Sequence, residues 1–181
     1  MGLHLLKKID MSRRDWRTLR DRATWLLRSS DQAPPREKLH GMALQVRLWR
    51  YPTGGICVSW SVFVPVRDYR GRSPIVRKAS WDPARERKRG AGVEPEIRIR
   101  DIEIDAADLE PFLKTAGGFL PDMIGTVAPS APGASVAGVE GSRDLSHVRL
   151  EWTGRGPRAS AATIAWFERF RQLLADAFRP S

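Results

Sequence analysis

The chain has no asparagine, one cysteine (Cys57), two tyrosines and three histidines in 181 residues. A single thiol excludes an internal disulfide and any cysteine-based zinc cage, since each needs at least two sulfurs. His4, His40 and His147 are scattered too widely to give a metal-ligand spacing. No apolar run approaches the ~18 residues that a membrane-spanning helix requires. Lys7 and Lys8 are not followed by the apolar stretch of a signal peptide, so the expectation is a cytoplasmic protein with no membrane partner. The Gly-x-Ser-x-Gly elbow, the His-Glu-x-x-His pair and the Gly-x-x-x-x-Gly-Lys phosphate loop are all missing. So are the sequence signatures of RNA-recognition, KH and zinc-finger modules. No catalytic residue, cofactor or metal ligand set is therefore expected.

Lysine is scarce as well: six lysines stand against 25 arginines, and the net charge is +10. Arginine-rich, asparagine-free usage is what a GC-rich bacterial genome gives any protein, so the total alone identifies no partner. Its distribution carries more. Residues 1–100 hold 23 basic and 10 acidic groups, whereas residues 101–181 hold 8 basic and 11 acidic groups. The N-terminal half thus offers a basic face able to attract an acidic partner. A hydrophobic fraction of 41% with seven tryptophans is ample for a core.

The clearest scaffold signal closes the chain, at 147–178. Val148, Leu150 and Trp152 alternate with Arg149 and Glu151, the period of a half-buried strand. Gly154-Arg155-Gly156-Pro157 breaks that strand, and Ser160 is placed to cap a helix. Ile164, Phe167, Leu174 and Phe178 then share one helical face, flanked by Trp166, Phe170 and Leu173.

Ahead of this unit, residues 1–30 predict a basic amphipathic helix with Trp16, Leu19, Ala23, Leu26 and Leu27 on one side. Residues 29–41, with Pro34-Pro35, read as a linker. Residues 42–105 predict an antiparallel sheet: strands at 42–49 and 56–64 in a hairpin, a third at 75–81 and a fourth at 96–105. In the fourth, Ile97 and Ile99 have one parity and Ile102 and Ile104 the other, which predicts a bulge near Asp101 or two short strands. Residues 82–92 read as a mobile basic loop. A short helix follows from Asp108, ending before Gly117-Gly118. Residues 117–138 read as a flexible loop, and 139–145 as a further short strand. The fold expectation is a single α+β domain over 1–181, with about five or six mainly antiparallel strands and helices packed on one face.

Two constellations bear on function. Arg67, Arg70, Arg72, Arg77, Lys78, Arg85, Arg87, Lys88 and Arg89 form the densest basic region, suited to bidentate pairing with carboxylate or phosphate. Tyr69 and Trp81 lie near it in sequence and could stack on bases. Asp101, Glu103 and Asp105 alternate, and such a row can hold a hard cation. The bland reading is a solvated face balancing Arg98 and Arg100. Cys57, inside an expected central strand, reads as a structural thiol rather than a nucleophile. Trp49 and Phe63 fall on the strand parity opposite to the core, so they either cover a second layer or form an exposed patch.

The order Val139-Glu140-Gly141-Ser142, Asp144-Leu145, Val148-x-Leu150-x-Trp152, a Gly/Pro turn and an aromatic helix resembles the closing segment of small uncharacterised bacterial proteins. Glu140, Arg143 and Asp144 depart from that pattern. The resemblance spans about a quarter of the chain and implies no activity. The functional expectation is a non-catalytic protein-interaction module, an accessory, adaptor or immunity-type component of a bacterial system, whose basic region binds an acidic protein surface. The alternatives are a nucleic-acid binder using residues 67–89 and a carboxylate-metal hydrolase using Asp101, Glu103 and Asp105.

Overall fold

A computed structural model describes residues 13–89, 94–119, 135–143, 146–154 and 161–179. Six strands form one antiparallel sheet: β1 (Met42–Tyr51), β2 (Cys57–Pro65), β3 (Ile75–Trp81), β4 (Arg98–Glu103), β5 (Val136–Arg143) and β6 (Ser146–Thr153). Their order across the sheet is β4-β3-β2-β1-β5-β6. Four helices accompany it: α1 (Arg13–Arg28), α2 (Pro83–Arg89), α3 (Ala106–Phe119) and α4 (Ala161–Ala177). The class is α+β: β1 to β4 form an antiparallel meander, and after β4 the chain crosses over so that β5 pairs with β1 and β6 with β5.

Strand alternation sends two sets of side chains to opposite faces. One set, with Val46, Leu48, Trp60, Val62, Val76, Val139, Leu150 and Trp152, packs under α3 and α4. Trp166, Phe167, Phe170 and Leu174 recur at helical spacing on α4 and are buried there. Phe167 meets Trp152 edge-on at 4.9 Å, and Phe170 stacks on Phe112 of α3 at 4.7 Å. The other set, with Trp49, Tyr51, Cys57, Ala79 and Trp81, packs under Ala23 and Leu27 of α1.

The helices therefore divide between the two faces instead of sharing one as the sequence suggested. The cause is that this face carries the rings of Trp49, Tyr51 and Trp81, which need a cover. Trp49 is 0% and Phe63 4% exposed, so both belong to that second layer and not to a surface patch. Gly138 of β5 lies directly opposite Trp49, and a Cβ there would meet the indole at 2.3 Å. Glycine at 138 is what lets the ring lie flat across β5.

The face under α1 also carries a polar row that crosses all six strands. Register pairing aligns Asp101 (β4), Arg77 (β3), Ser61 (β2), Arg47 (β1), Glu140 (β5) and Arg149 (β6). Most of the row is buried: Arg77 and Ser61 are 0%, Arg47 5% and Glu140 8% exposed. Arg77 holds Asp101 bidentately, 2.8 Å from each oxygen. Its remaining donors reach the main-chain carbonyls of Ser30, Ala33 and Pro35 at 2.6–3.0 Å. Arg47 donates to Ser61 Oγ at 2.9 Å, to Asp31 at 2.5 Å and to Glu140. Residues 29–36 are thus a strap held down over the row by two arginines, where the sequence reading had a linker. The cis Pro34-Pro35 peptide lies within it.

Several boundaries differ from the sequence reading. β4 pairs with β3 without a register shift, because its parity change serves two faces: Ile97 and Ile99 pack on the α1 side, Ile102 and Ile104 on the α4 side. The irregularity falls instead in β1, between Leu44 and Val46. β2 begins at Cys57, leaving Ile56 55% exposed in the turn. α3 continues through Gly117-Gly118 to Phe119, and β5 starts at Val136. Residues 120–134, the greater part of the expected flexible loop, lie outside the described residues, as do Ser160, Asp144 and the Arg155-Gly156-Pro157 turn.

Candidate interaction surface

The expected basic region does not form one patch. Arg67, Arg70 and Arg72 lie in the β2–β3 connection, whereas Arg85, Arg87, Lys88 and Arg89 lie beyond the other end of β3. At roughly 3.3 Å per residue, the seven residues of β3 hold the two groups about 20 Å apart. Arg77 is the clearest correction: with all five of its N–H donors engaged inside the fold, it has nothing to offer a partner. Lys78, its neighbour in sequence, points to the opposite face of the sheet, where its ammonium lies 5.4 Å from the Phe178 ring centre.

The group at 67–72 edges a groove of about 520 Å³ between the β2–β3 connection and α3. Val64, Pro65, Pro74, Leu109 and Leu113 supply its apolar lining. Arg72 is committed to the chain itself, donating to the carbonyls of His40 (2.5 Å) and Lys38 (3.0 Å). Tyr69 bonds His40 Nε2 through its hydroxyl at 2.9 Å and closes over Gly41, where φ is +72°. This end of the sheet is a buttress for residues 38–41, which lead into β1, as much as a surface.

The group at 83–89 is displayed differently. The sequence suggested a mobile loop, but these residues form α2. Asp82 caps it, its carboxylate accepting from the amides of Ala84 (2.9 Å) and Arg85 (3.3 Å). Pro83 follows at the first helical position, where a missing N–H costs nothing. Glu86 turns inward, 2% exposed, and accepts from the Glu96 amide at 3.0 Å and from Arg89 at 3.0 Å. A second tie runs through aromatic rings: Arg87 lies 4.5 Å over Trp16 of α1, which stacks at 5.7 Å on Trp81.

With Glu86 buried, the exposed side chains of α2 are Arg85, Arg87, Lys88 and Arg89. Glu96 lies within 3.4 Å of Arg85 and 3.6 Å of Arg89, so it draws two of these cations toward β4. Arg87 instead lies over Trp16, and Lys88 is exposed. The neighbouring α1 surface adds exposed Arg17 and Arg22. Trp25, 52% exposed, lies 4.6 Å beneath the Arg22 guanidinium. A charged protein surface can be met here by hydrogen-bonding cations and by an indole face together.

The carboxylate row does not form a metal cleft. Asp101 is taken by Arg77. Asp105 caps α3, accepting from the Ala107 amide at 2.9 Å, and Glu103 is exposed at the end of β4. Among the described residues no three His, Cys, Asp or Glu side chains converge as a metal site would require. Cys57 is buried, and burial pushes its thiol up to about 11. That is the opposite of what a nucleophile needs. No helix among the described residues is long and apolar enough to cross a membrane. Compared with protein-family models, curated proteins and solved structures, the chain matches none.

Proposed function

We propose that this protein is a non-catalytic binding module, an accessory or immunity-type component, that engages an acidic surface of a partner protein through α2 and the adjoining face of α1. The observation that carries the reading is the way α2 is held. A seven-residue helix rich in like charge has little stability of its own. Here an Asp82 cap, the inward Glu86 and the Arg87–Trp16–Trp81 stack fix it, so that the exposed Arg85 and Lys88 are carried at a set position. Fixed cations lose less side-chain and backbone entropy on binding than cations on a free loop.

The test follows from the same geometry. Arg89 is left intact because it neutralises buried Glu86. Arg87 is left intact as well, because it ties α2 to Trp16. A double variant, Arg85→Gln and Lys88→Gln, is compared with the wild type as bait in lysate of the native host, with nuclease present and at two salt concentrations. The expected result is a stoichiometric acidic protein retained by the wild type after nuclease treatment and lost from the variant. Recovery that disappears with nuclease would replace the acidic protein by nucleic acid. Equal recovery by both baits would remove α2 from the interface.

A further inference from the structure

We propose that Lys78 and Arg100, on the α4 face of the sheet, form a binding subsite for a phosphate group. The inference is independent of the α2 surface, which lies on the α1 side. Lys78 of β3 and Arg100 of β4 are direct register partners. Like charges directly opposite on neighbouring strands repel, and sheets ordinarily avoid them. Both cations sit over one ring: the Lys78 ammonium is 5.4 Å and the Arg100 guanidinium 5.7 Å from the centre of Phe178. Arg98, two residues along the same strand face, is exposed but lies 3.6 Å from the Glu96 carboxylate, so the subsite rests on Lys78 and Arg100.

Elsewhere this chain neutralises its sheltered arginines. Arg28 has Glu151, Arg47 has Asp31 and Glu140, and Arg77 has Asp101. Lys78 and Arg100 have no carboxylate partner among the described residues. The nearest acid of the α4 terminus, Asp176, is held by Arg179 at 2.9 Å and by Gln172 at 2.8 Å. The carbonyl end of α4 favours nearby cations, but a helix terminus supplies only about half an elementary charge. Two positive charges therefore remain largely unbalanced. Burial and the neighbouring Arg100 both hold the Lys78 ammonium below its ordinary pKa.

A phosphate dianion matches what is missing. It carries enough charge for both cations, accepts two parallel bonds from a guanidinium and takes a point-charge contact from an ammonium. Arg100 is exposed, so the group has an open approach.

The chain has six lysines, so lysine-selective isotope labelling gives few signals, and the Lys78→Met variant assigns the one of interest. Inorganic phosphate is titrated near neutral pH against sodium chloride of equal ionic strength. The expected result is a saturable shift of the Lys78 signal with phosphate only, weakened about tenfold or more in Arg100→Gln and unchanged in Arg70→Gln. If Lys78→Met does not fold, Arg100→Gln, at an exposed position, decides the matter. A nucleoside monophosphate run in parallel identifies the source: tighter binding than inorganic phosphate assigns a nucleotide phosphate, equal binding a free or generic phosphate. Shifts no larger than those in chloride, or full binding by Arg100→Gln, would overturn the proposal.

Discussion

Arg77 shows how one side chain can hold together parts of the chain that are distant in sequence. Its guanidinium joins β3 to β4 through Asp101 and pulls the 29–36 strap onto the sheet. Arg77→Met would strand a nearly buried carboxylate and three carbonyls, at a cost of about 3–5 kcal/mol. Urea denaturation measures it, and a loss below about 1 kcal/mol would show that water replaces those bonds. Gly138→Ala should cost about 1–3 kcal/mol or more, because the new methyl group would meet both the Trp49 indole and the Leu150 main-chain carbonyl. Cys57 gives a pH-dependent readout. Its folded pKa lies near 11 against an ordinary 9.0. The thiol therefore stays protonated in the fold, and its contribution to stability is full below pH 9 and is lost as pH rises through 11. Alkylation at mildly alkaline pH should be slow in the native protein and fast in urea; rapid native labelling would contradict the burial.

At the scale of elements, periodicity made the strands, α1 and α4 legible, since each repeats its apolar residues over several turns or pleats. What escaped was whatever depends on a distant partner. α2 looks like a solvated run of charge until Glu86 is seen to reach the Glu96 amide, although the Asp82-Pro83 start was a readable helix signal. The strap looks like a linker because its partners, Arg47 and Arg77, lie on strands. Their signal was visible in part: each is a lone arginine on a strand parity otherwise given to buried residues. Of the basic region, Arg85, Arg87, Lys88 and Arg89 are exposed on a helix where a mobile loop was expected, while Arg77 and Lys78 turn to opposite faces of the sheet, because sequence nearness says nothing about which face a strand residue takes. Glu86→Gln should weaken the tie between α2 and the residues before β4. Amide exchange across 83–89 and 94–97 should quicken while that of β1 and β5 stays unchanged; uniform protection would mean that the helix is held by its aromatic stack alone.

For the whole molecule, the two-faced sheet sets the main vulnerability. α1 alone supplies the helical cover for Trp49, Tyr51, Ala79 and Trp81 among the described residues. A chain beginning at Ser29 should expose that face, bind a hydrophobic dye and self-associate, whereas the intact chain should do neither. A truncated chain that stays monomeric and dye-free would show that the α1 cover is dispensable.

The polar row across the sheet has a consequence for how the strands find one another. A strand displaced by one residue turns its side chains to the opposite face. For β1 or β3, such a slip would turn Arg47 or Arg77 to the α4 face, against Val62 and the other apolar residues of that core, with no acid to meet it. An unpaired buried guanidinium costs several kcal/mol, a large share of the stability of any domain this size. The row thus acts as an alignment code: six positions, one per strand, with opposite charges meeting at the Asp101–Arg77 and Arg47–Glu140 pairs. Hydrophobic alternation alone gives a weaker signal, because both faces of the sheet bury large apolar side chains and a shifted strand would still find apolar neighbours.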